Sequence, residues 1–182
     1  MFKLITTLTF VAAFLFLQPD TALLDELPTA PGTIEFIGDA GTPNVFTFEN
    51  WGFTKIENAG DPENIRVEAV FDVRSLKCDW KELEESILKK KDYFFVKKFP
   101  EARLSINGAV ATEEGKYTTE ALLTLKGISK KVKLVFKISE EAPYTVHAEG
   151  VIQRRIFKFT GDGPEEEVPV KVDAVLEVGR EN

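Results

Sequence analysis

The sequence predicts an all-β protein, an antiparallel β-barrel of about eight strands, closed or nearly closed, with one short α-helix. Apolar residues recur at every second position in segment after segment, which is the period of a strand with one buried face. A single segment, near residues 79–91, has helical spacing instead. Closure of the sheet would remove exposed edges. A two-sheet sandwich is the alternative fold.

Length and composition fit one globular domain. The chain has 182 residues, of which 43% are hydrophobic and 29% are charged, as in ordinary soluble domains and unlike disordered or multi-span membrane proteins. With 23 Lys and Arg against 30 Asp and Glu, the net charge is -7. This sign is wrong for a protein that neutralises phosphates, so we expect no nucleic-acid partner.

The first residues have the order of a secretory signal. Lys3 precedes an uncharged apolar run at residues 4–17, and polar residues follow it. The run is shorter than the roughly 20 residues that span a bilayer, although an uncleaved anchor is an alternative. We predict a signal peptide over residues 1–22, and a cleavage site as late as residue 30 is left open. The protein is therefore predicted to be periplasmic or secreted. The remaining domain is predicted over residues 31–180.

Each predicted strand is a stretch in which apolar and polar residues alternate. These stretches are residues 33–38, 44–56, 65–73, 102–106, 121–125, 132–138, 144–152 and 168–178. The two central stretches flank Gly127, which predicts a hairpin.

The segment 79–91 is predicted to be the helix. Its first residues, DWKE at 79–82, have the form of a capping box. Apolar residues then follow at helical spacing, with charged residues on the other face. The predicted buried face is Trp80, Leu83, Ile87 and Leu88, and the predicted exposed face is Glu84, Glu85, Lys89 and Lys90.

Few residues could carry catalysis. The chain has one cysteine, Cys78, and one histidine, His147, so neither an intramolecular disulfide nor a His-rich metal site can form. We expect no catalytic residue, no metal and no cofactor. The alternative is an enzyme that acts on an amphiphilic substrate, with Tyr144, His147 or Glu149 as acid or base. Strand alternation puts His147 on the face opposite Tyr144, outside the barrel.

Lysines and aromatic residues are interleaved over residues 89–99. This pattern fits a surface that makes transient contact with an anionic membrane. It also fits a solvated helix end whose lysines complement the helix dipole while the aromatic rings fold inward.

Two segments resemble the YceI-like family. Residues 92–102 (DYFFVKKFPEA) resemble its D-W-F-D-V-x-x-F/Y-P-x-A segment, and residues 123–134 (LTLKGISKKVKL) resemble its L-T-L-x-G-V-x-x-P-V-x-L hairpin. Weaker agreements occur at residues 34–36, 61–65 and 154–157, so the resemblance covers roughly residues 33–178.

Four positions depart from the family pattern. Phe95 stands where the family usually has Asp, Lys131 stands for Pro, and Ile156 and Lys158 stand for the Asp and Gly of the late motif. These positions lose polar or turn-forming groups, so the ligand of this protein can differ from that of its relatives.

The resemblance implies a lipocalin-like barrel whose interior binds a polyisoprenoid tail, often that of an isoprenoid quinone. The protein is then an exported binding or carrier protein, with a hydrophobic lipid as its ligand. The alternative is a non-catalytic envelope protein with a filled barrel and a partner on its outer surface. A homodimer is left open. We predict that the apolar pocket is lined by Phe36, Phe48, Phe71, Leu104, Leu123, Leu125, Leu134 and Phe136.

Overall fold

The structure, a computed structural model, describes residues 29–38, 44–162 and 166–177. The predicted signal peptide up to residue 28, and residues 39–43, 163–165 and 178–180 of the predicted domain, lie outside these ranges. No helix among the described residues is long and apolar enough to cross a membrane. The described elements are β1 (Gly32–Ile37), β2 (Val45–Phe48), β3 (Trp51–Glu57), β4 (Arg66–Asp72), β5 (Leu76–Lys77), α1 (Lys81–Lys89), β6 (Glu101–Asn107), β7 (Val110–Ala111), β8 (Tyr117–Leu125), β9 (Ile128–Ile138), β10 (Tyr144–Gln153) and β11 (Glu167–Leu176), with short 3₁₀ helices at Val73–Ser75, Glu113–Gly115 and Arg154–Phe157.

The strands form one antiparallel sheet that curls into a barrel. Their order is β3-β4-β6-β8-β9-β10-β11-β1-β2-β5, and β7 pairs with β8. Strand β3 lies at one edge of the sheet and β2 lies next to the other edge. The chain connects these two strands directly, because β2 ends at Phe48 and β3 begins at Trp51. Across the same junction the Ala30 N–H donates to the Trp51 carbonyl at 3.0 Å. The predicted fold class is confirmed, and eight of the described strands have six residues or more.

The predicted hairpin is confirmed between β8 and β9. Leu125 pairs with Ile128, so the turn consists of two residues, Lys126 and Gly127. Both have positive φ, 51° and 70°, as a type I′ hairpin turn requires. Glycine adopts this conformation without strain, whereas Lys126 needs contacts that hold it there.

The prediction of one strand over residues 44–56 is wrong, because the chain bends at Glu49 and Asn50 and forms two strands. The Glu49 N–H donates to the Ser75 carbonyl at 3.2 Å, and the Asn50 carbonyl accepts from the Asp72 N–H at 2.9 Å. Here the chain leaves β1 and begins to pair with β4. Apolar residues continue on both sides of the bend, so the alternation does not reveal it.

The helix is present, but its predicted N-terminus is wrong. The N-cap is Trp80, which makes no side-chain capping bond, so the capping box predicted from Asp79 does not form. Trp80 was predicted to be buried and is 55% exposed. Ile87 is buried as predicted, and Leu83 and Leu88 pack partly buried against the core.

Glu84 was predicted to be exposed and is buried instead. Its carboxylate accepts the Cys78 N–H at 3.1 Å and lies 3.6 Å from Lys77 Nζ and 3.4 Å from Lys81 Nζ. Burial raises the pKa of Glu84, but the hydrogen bond from Cys78 and the two lysines together hold it below its ordinary value. This carboxylate therefore fixes the start of α1 in place of the capping box.

The two ends of the barrel differ. At the end that we call the packed end, formed by loops 58–64, 108–116 and 139–143, a small cluster around Ile65, Val67 and Leu176 fills the interior. The end that we call the capped end is formed by loop 90–100, turn 126–127 and segment 154–162. The larger core cluster occupies the half of the barrel near the capped end.

Candidate ligand-binding site

An apolar cavity of about 170 Å³ lies in the half of the barrel that faces the capped end. Its wall is apolar except for Tyr93 and Arg154. Residues from nearly every long strand contribute, because their inward faces converge there. The lining residues are Ile34, Phe36, Gly38, Phe46, Phe48, Phe71, Ile87, Tyr93, Phe94, Ala102, Leu104, Leu123, Leu125, Val132, Leu134, Ile152, Arg154, Phe159, Val168, Val170 and Val172.

Seven of the eight predicted pocket residues line this cavity: Phe36, Phe48, Phe71, Leu104, Leu123, Leu125 and Leu134. The eighth, Phe136, does not. It is only 5% exposed, and its ring stacks on Tyr117 with centroids 5.6 Å apart. The binding of a ligand by these residues stays a prediction.

Strand β11 contributes a row of valines that the sequence reasoning did not include. Val168, Val170 and Val172 line the cavity, and Val170 pairs with Phe36 of β1. Alternation already placed these valines on one face. The missing information was the pairing of the last long strand with the first, which no local pattern reveals.

Two rings close the cavity at the capped end. Phe94 packs edge-on against Phe159 with centroids 4.9 Å apart, and each residue is 8% exposed. The ring centroid of Phe94 also lies 6.2 Å from that of Phe36 and 6.4 Å from that of Phe48. We call Phe94 and Phe159, with the segments 91–94 and 158–162 that carry them, the cap.

The two segments of the cap are bonded to each other. Thr160 donates to Asp92 twice, from N–H to the carbonyl and from Oγ1 to the carboxylate, each at 2.9 Å. The Tyr93 hydroxyl donates to the Asp162 carbonyl. The Tyr93 ring covers Gly161, where a Cβ would approach the ring to 2.3 Å. A side chain at position 161 would therefore push the cap apart.

Lys126 fastens the cap to the β8–β9 turn. Its ammonium donates to the Lys91 carbonyl at 2.9 Å and to the Lys158 carbonyl at 2.8 Å. It also lies 4.9 Å from the centroid of the Phe159 ring, a cation–π distance. Burial lowers the pKa of Lys126, Asp92 opposes this shift, and Lys158 adds to it. These contacts account for the left-handed conformation of Lys126.

Arg154 is a buried charge beside the cavity. It is 8% exposed, and its guanidinium donates to the Phe159 carbonyl at 3.2 Å and to the Gly161 carbonyl at 2.9 Å. A buried guanidinium requires such partners. Arg154 therefore holds segment 158–162 of the cap from the cavity side.

The residues considered as a possible acid or base lie away from the cavity. His147 is exposed on the outer wall, as predicted, and pairs with Asp173. Glu149 is exposed, and Tyr144 packs against the small cluster at the packed end. Within the described ranges, no group of three or more His, Cys, Asp and Glu residues could hold a metal ion.

The four departures from the family pattern have structural consequences. Phe95 and Lys158 have φ of 52° and 58°, a conformation that costs a non-glycine residue about 1–2 kcal/mol. Lys131 forms an ion pair with Glu120 at 2.8 Å. Ile156 is 42% exposed, beside the cap.

Together, fold and site define a curled antiparallel β-barrel that encloses an apolar cavity. The YceI-like domain family matches residues 32–176. The chain belongs to this family. No curated protein matches the sequence.

Solved structures share the fold at low sequence identity. BcnA of Burkholderia cenocepacia is 20% identical, with a TM-score of 0.69 over 80% of this chain and 96% of that one. A polyisoprenoid binding domain from Saccharophagus degradans is 12% identical, with a TM-score of 0.62 over 81% and 94%. The YCEI protein of Campylobacter jejuni is 18% identical, with a TM-score of 0.62 over 73% and 85%.

Proposed function

We propose that this protein is an exported carrier that binds a polyisoprenoid or an isoprenoid-quinone-like lipid by enclosing its tail in the barrel. The observation that carries the proposal is the apolar cavity behind the Phe94–Phe159 pair. The Saccharophagus degradans neighbour, described as a polyisoprenoid binding domain, supports the choice of ligand class.

Burial of the tail supplies the binding energy. Each methylene removed from water contributes about 0.8 kcal/mol, so one five-carbon isoprene unit contributes up to about 4 kcal/mol. The ring centroid of Phe48 lies 6.0 Å from that of Phe36 and 5.9 Å from that of Phe71. These rings form a wall without hydrogen-bonding groups, which suits a methyl-branched hydrocarbon chain.

The polar groups at the cavity favour binding over catalysis. The Tyr93 hydroxyl and the Arg154 guanidinium both bond to backbone carbonyls of segment 159–162. Both groups hold the cap and take no part in acid or base chemistry. The space of about 170 Å³ argues against the alternative of a completely filled barrel.

Fluorescence of Trp51 tests the proposal. Trp51 is 2% exposed, and its ring stacks on Phe71 of the cavity wall at 6.4 Å. The other tryptophan, Trp80, is 55% exposed, so Trp80→Phe leaves Trp51 as the only tryptophan. A quinone with a prenyl tail, which quenches tryptophan at short range, should quench Trp51 saturably at one ligand per chain.

The same quinone without a tail is the control, because it lacks the part that the cavity binds. It should leave Trp51 emission unchanged at the concentration that saturates the tailed quinone. Equal quenching by both compounds, or quenching that rises linearly without saturation, would contradict the proposal.

Export is the second part of the proposal. It rests on the order of charged, apolar and polar residues over residues 1–22. The intact mass of protein from the periplasm or medium should lack residues 1–22, or up to residue 30. A full-length chain found only in the cytoplasm would contradict export and leave the binding proposal standing.

A further inference from the structure

The two ends of the barrel carry opposite charge. The capped end, over 90–100, 126–127, 154–162 and Glu166, contains eight Lys and Arg against three Asp and Glu. The packed end, over 58–64, 108–116 and 139–143, contains six Asp and Glu against one Lys. The protein as a whole has a net charge of -7, so the charge of the capped end is opposite to the net charge of the protein.

Six lysines carry the charge at the surface of the capped end, because Arg154 is buried and Arg155 pairs with Glu166. Of these six, Lys126 is half-buried and the others are exposed. We call them the basic rim: Lys90, Lys91, Lys97, Lys98, Lys126 and Lys158.

Three lysines of the basic rim lie at the cap. Lys126 bonds to the carbonyls of Lys91 and Lys158 at 2.9 and 2.8 Å, so three of the six lysines converge where the two cap segments meet. Phe159, which closes the cavity, lies directly beneath the Lys126 ammonium. Ile156, 42% exposed, adds an apolar side chain next to the cap. The basic surface therefore lies directly over the residues that close the cavity.

Such a charge distribution orients a protein in the field of an anionic bilayer. Lysines near an anionic surface are attracted within about a Debye length, roughly 8 Å at physiological salt. The acidic packed end is repelled by the same field, so the molecule turns with its capped end toward the lipid.

We propose that the basic rim is a docking surface for an anionic lipid bilayer, which presents the cap and the cavity behind it to the membrane. A lipid tail would pass between the membrane and the cavity at this surface, and in that respect the docking proposal rests on the proposed function. Docking itself requires no bound ligand, so the two can fail independently. An apolar side chain at the rim and a cavity for a membrane-soluble tail favour a bilayer over an acidic macromolecule.

Vesicle flotation with ligand-free protein tests the docking surface. The vesicles contain phosphatidylcholine alone or phosphatidylcholine mixed with phosphatidylglycerol. The wild-type protein should float with the anionic vesicles and not with the neutral ones. Raising the salt concentration from about 0.15 M to about 1 M shortens the Debye length to about 3 Å and should release the protein.

The triple variant Lys90→Gln/Lys97→Gln/Lys98→Gln removes half of the basic rim and leaves the cap unchanged, because none of these lysines lies in segments 91–94 or 158–162. Because each lysine near the surface contributes about fivefold to partitioning, the variant should bind anionic vesicles about 100-fold more weakly.

A matched control makes the same change in net charge elsewhere. Lys116→Gln/Lys133→Gln/Lys137→Gln alters one residue at the packed end and two exposed residues of β9. It should weaken vesicle binding by less than about fivefold, since these lysines lie away from the rim. Equal weakening by both triple variants, no binding of wild type to anionic vesicles, or equal binding to neutral vesicles would overturn the docking surface.

Uptake of the tailed quinone by Trp51 quenching, without vesicles, separates the two proposals. The rim variant should retain full uptake, because none of its three substitutions touches the cavity wall. Loss of uptake together with loss of docking would show that the substitutions damage the cap, and this outcome would overturn the assignment of the rim to docking alone.

Discussion

Substitutions at two buried alanines distinguish an empty cavity from a packed core. Ala102 of β6 is 2% exposed and lines the cavity, whereas Ala121 of β8 is 0% exposed and belongs to the same core cluster without lining the cavity. Replacing each alanine by leucine adds the same three carbon atoms to a strand residue of the same barrel. We expect the two substitutions to change stability in opposite directions.

The magnitudes follow from the surroundings of each methyl group. At Ala102 the new atoms enter the empty space of about 170 Å³, and burying three carbons contributes up to about 2 kcal/mol. At Ala121 the same atoms meet packed neighbours, and overpacking costs about 1–3 kcal/mol. Ala102→Leu should therefore be neutral to stabilising, and Ala121→Leu should be destabilising.

Urea unfolding of ligand-free protein, followed by Trp51 emission, measures the difference. With an m value of about 2 kcal/mol/M, the two midpoints should differ by roughly 2 M. Ala102→Leu should also weaken uptake of the tailed quinone, because it occupies the site. Equal destabilisation by both substitutions would refute the reasoning, since it would mean that the wall at Ala102 is as tightly packed as the core at Ala121.

Three further predictions concern single residues. Phe136→Ala should cost about 3–5 kcal/mol in ligand-free protein, because its ring packs on Tyr117 outside the cavity; a urea-measured cost below about 2 kcal/mol would place Phe136 beside empty space. The pKa of Glu84 is lowered in the folded state, so its contribution to stability is present above the carboxyl pKa of the unfolded chain and is lost as pH falls through the folded one. The stability difference between wild type and Glu84→Gln should therefore vanish on acidification, and a difference independent of pH would contradict this. Lys158→Gly should relieve the strain of a φ of 58° and raise stability by about 1 kcal/mol, seen as a higher Tm; an unchanged or lower Tm would count against strain at this position.

The barrel could be predicted from the sequence because its signals are local. Alternation over residues 65–73 and 168–178 predicts strands with a buried face, and Gly127 marks a tight turn between two alternating runs. The inward residues of β4, β6, β8 and the start of β9 followed from the same alternation. Seven of the eight predicted pocket residues therefore lie at the cavity.

The remaining features depend on contacts between distant segments. The cap forms because Asp92 meets Thr160, 68 positions along the chain, and no local pattern brings them together. The bend at Glu49 depends on Ser75, and the burial of Glu84 depends on the turn at Cys78. Phe136 shares the inward face with Leu134, but the cavity ends between them because Tyr117 stacks on the Phe136 ring.

The central claim is that the barrel encloses a lipid tail, and native mass spectrometry tests it most directly. Protein isolated from the cells that make it, without detergent, should show a mass above that of the mature chain. Solvent extraction should remove the difference and release one hydrophobic compound of matching mass, and adding a prenyl lipid back should restore one ligand per chain. A mass equal to that of the bare chain, together with no uptake of added prenyl lipid, would contradict the claim.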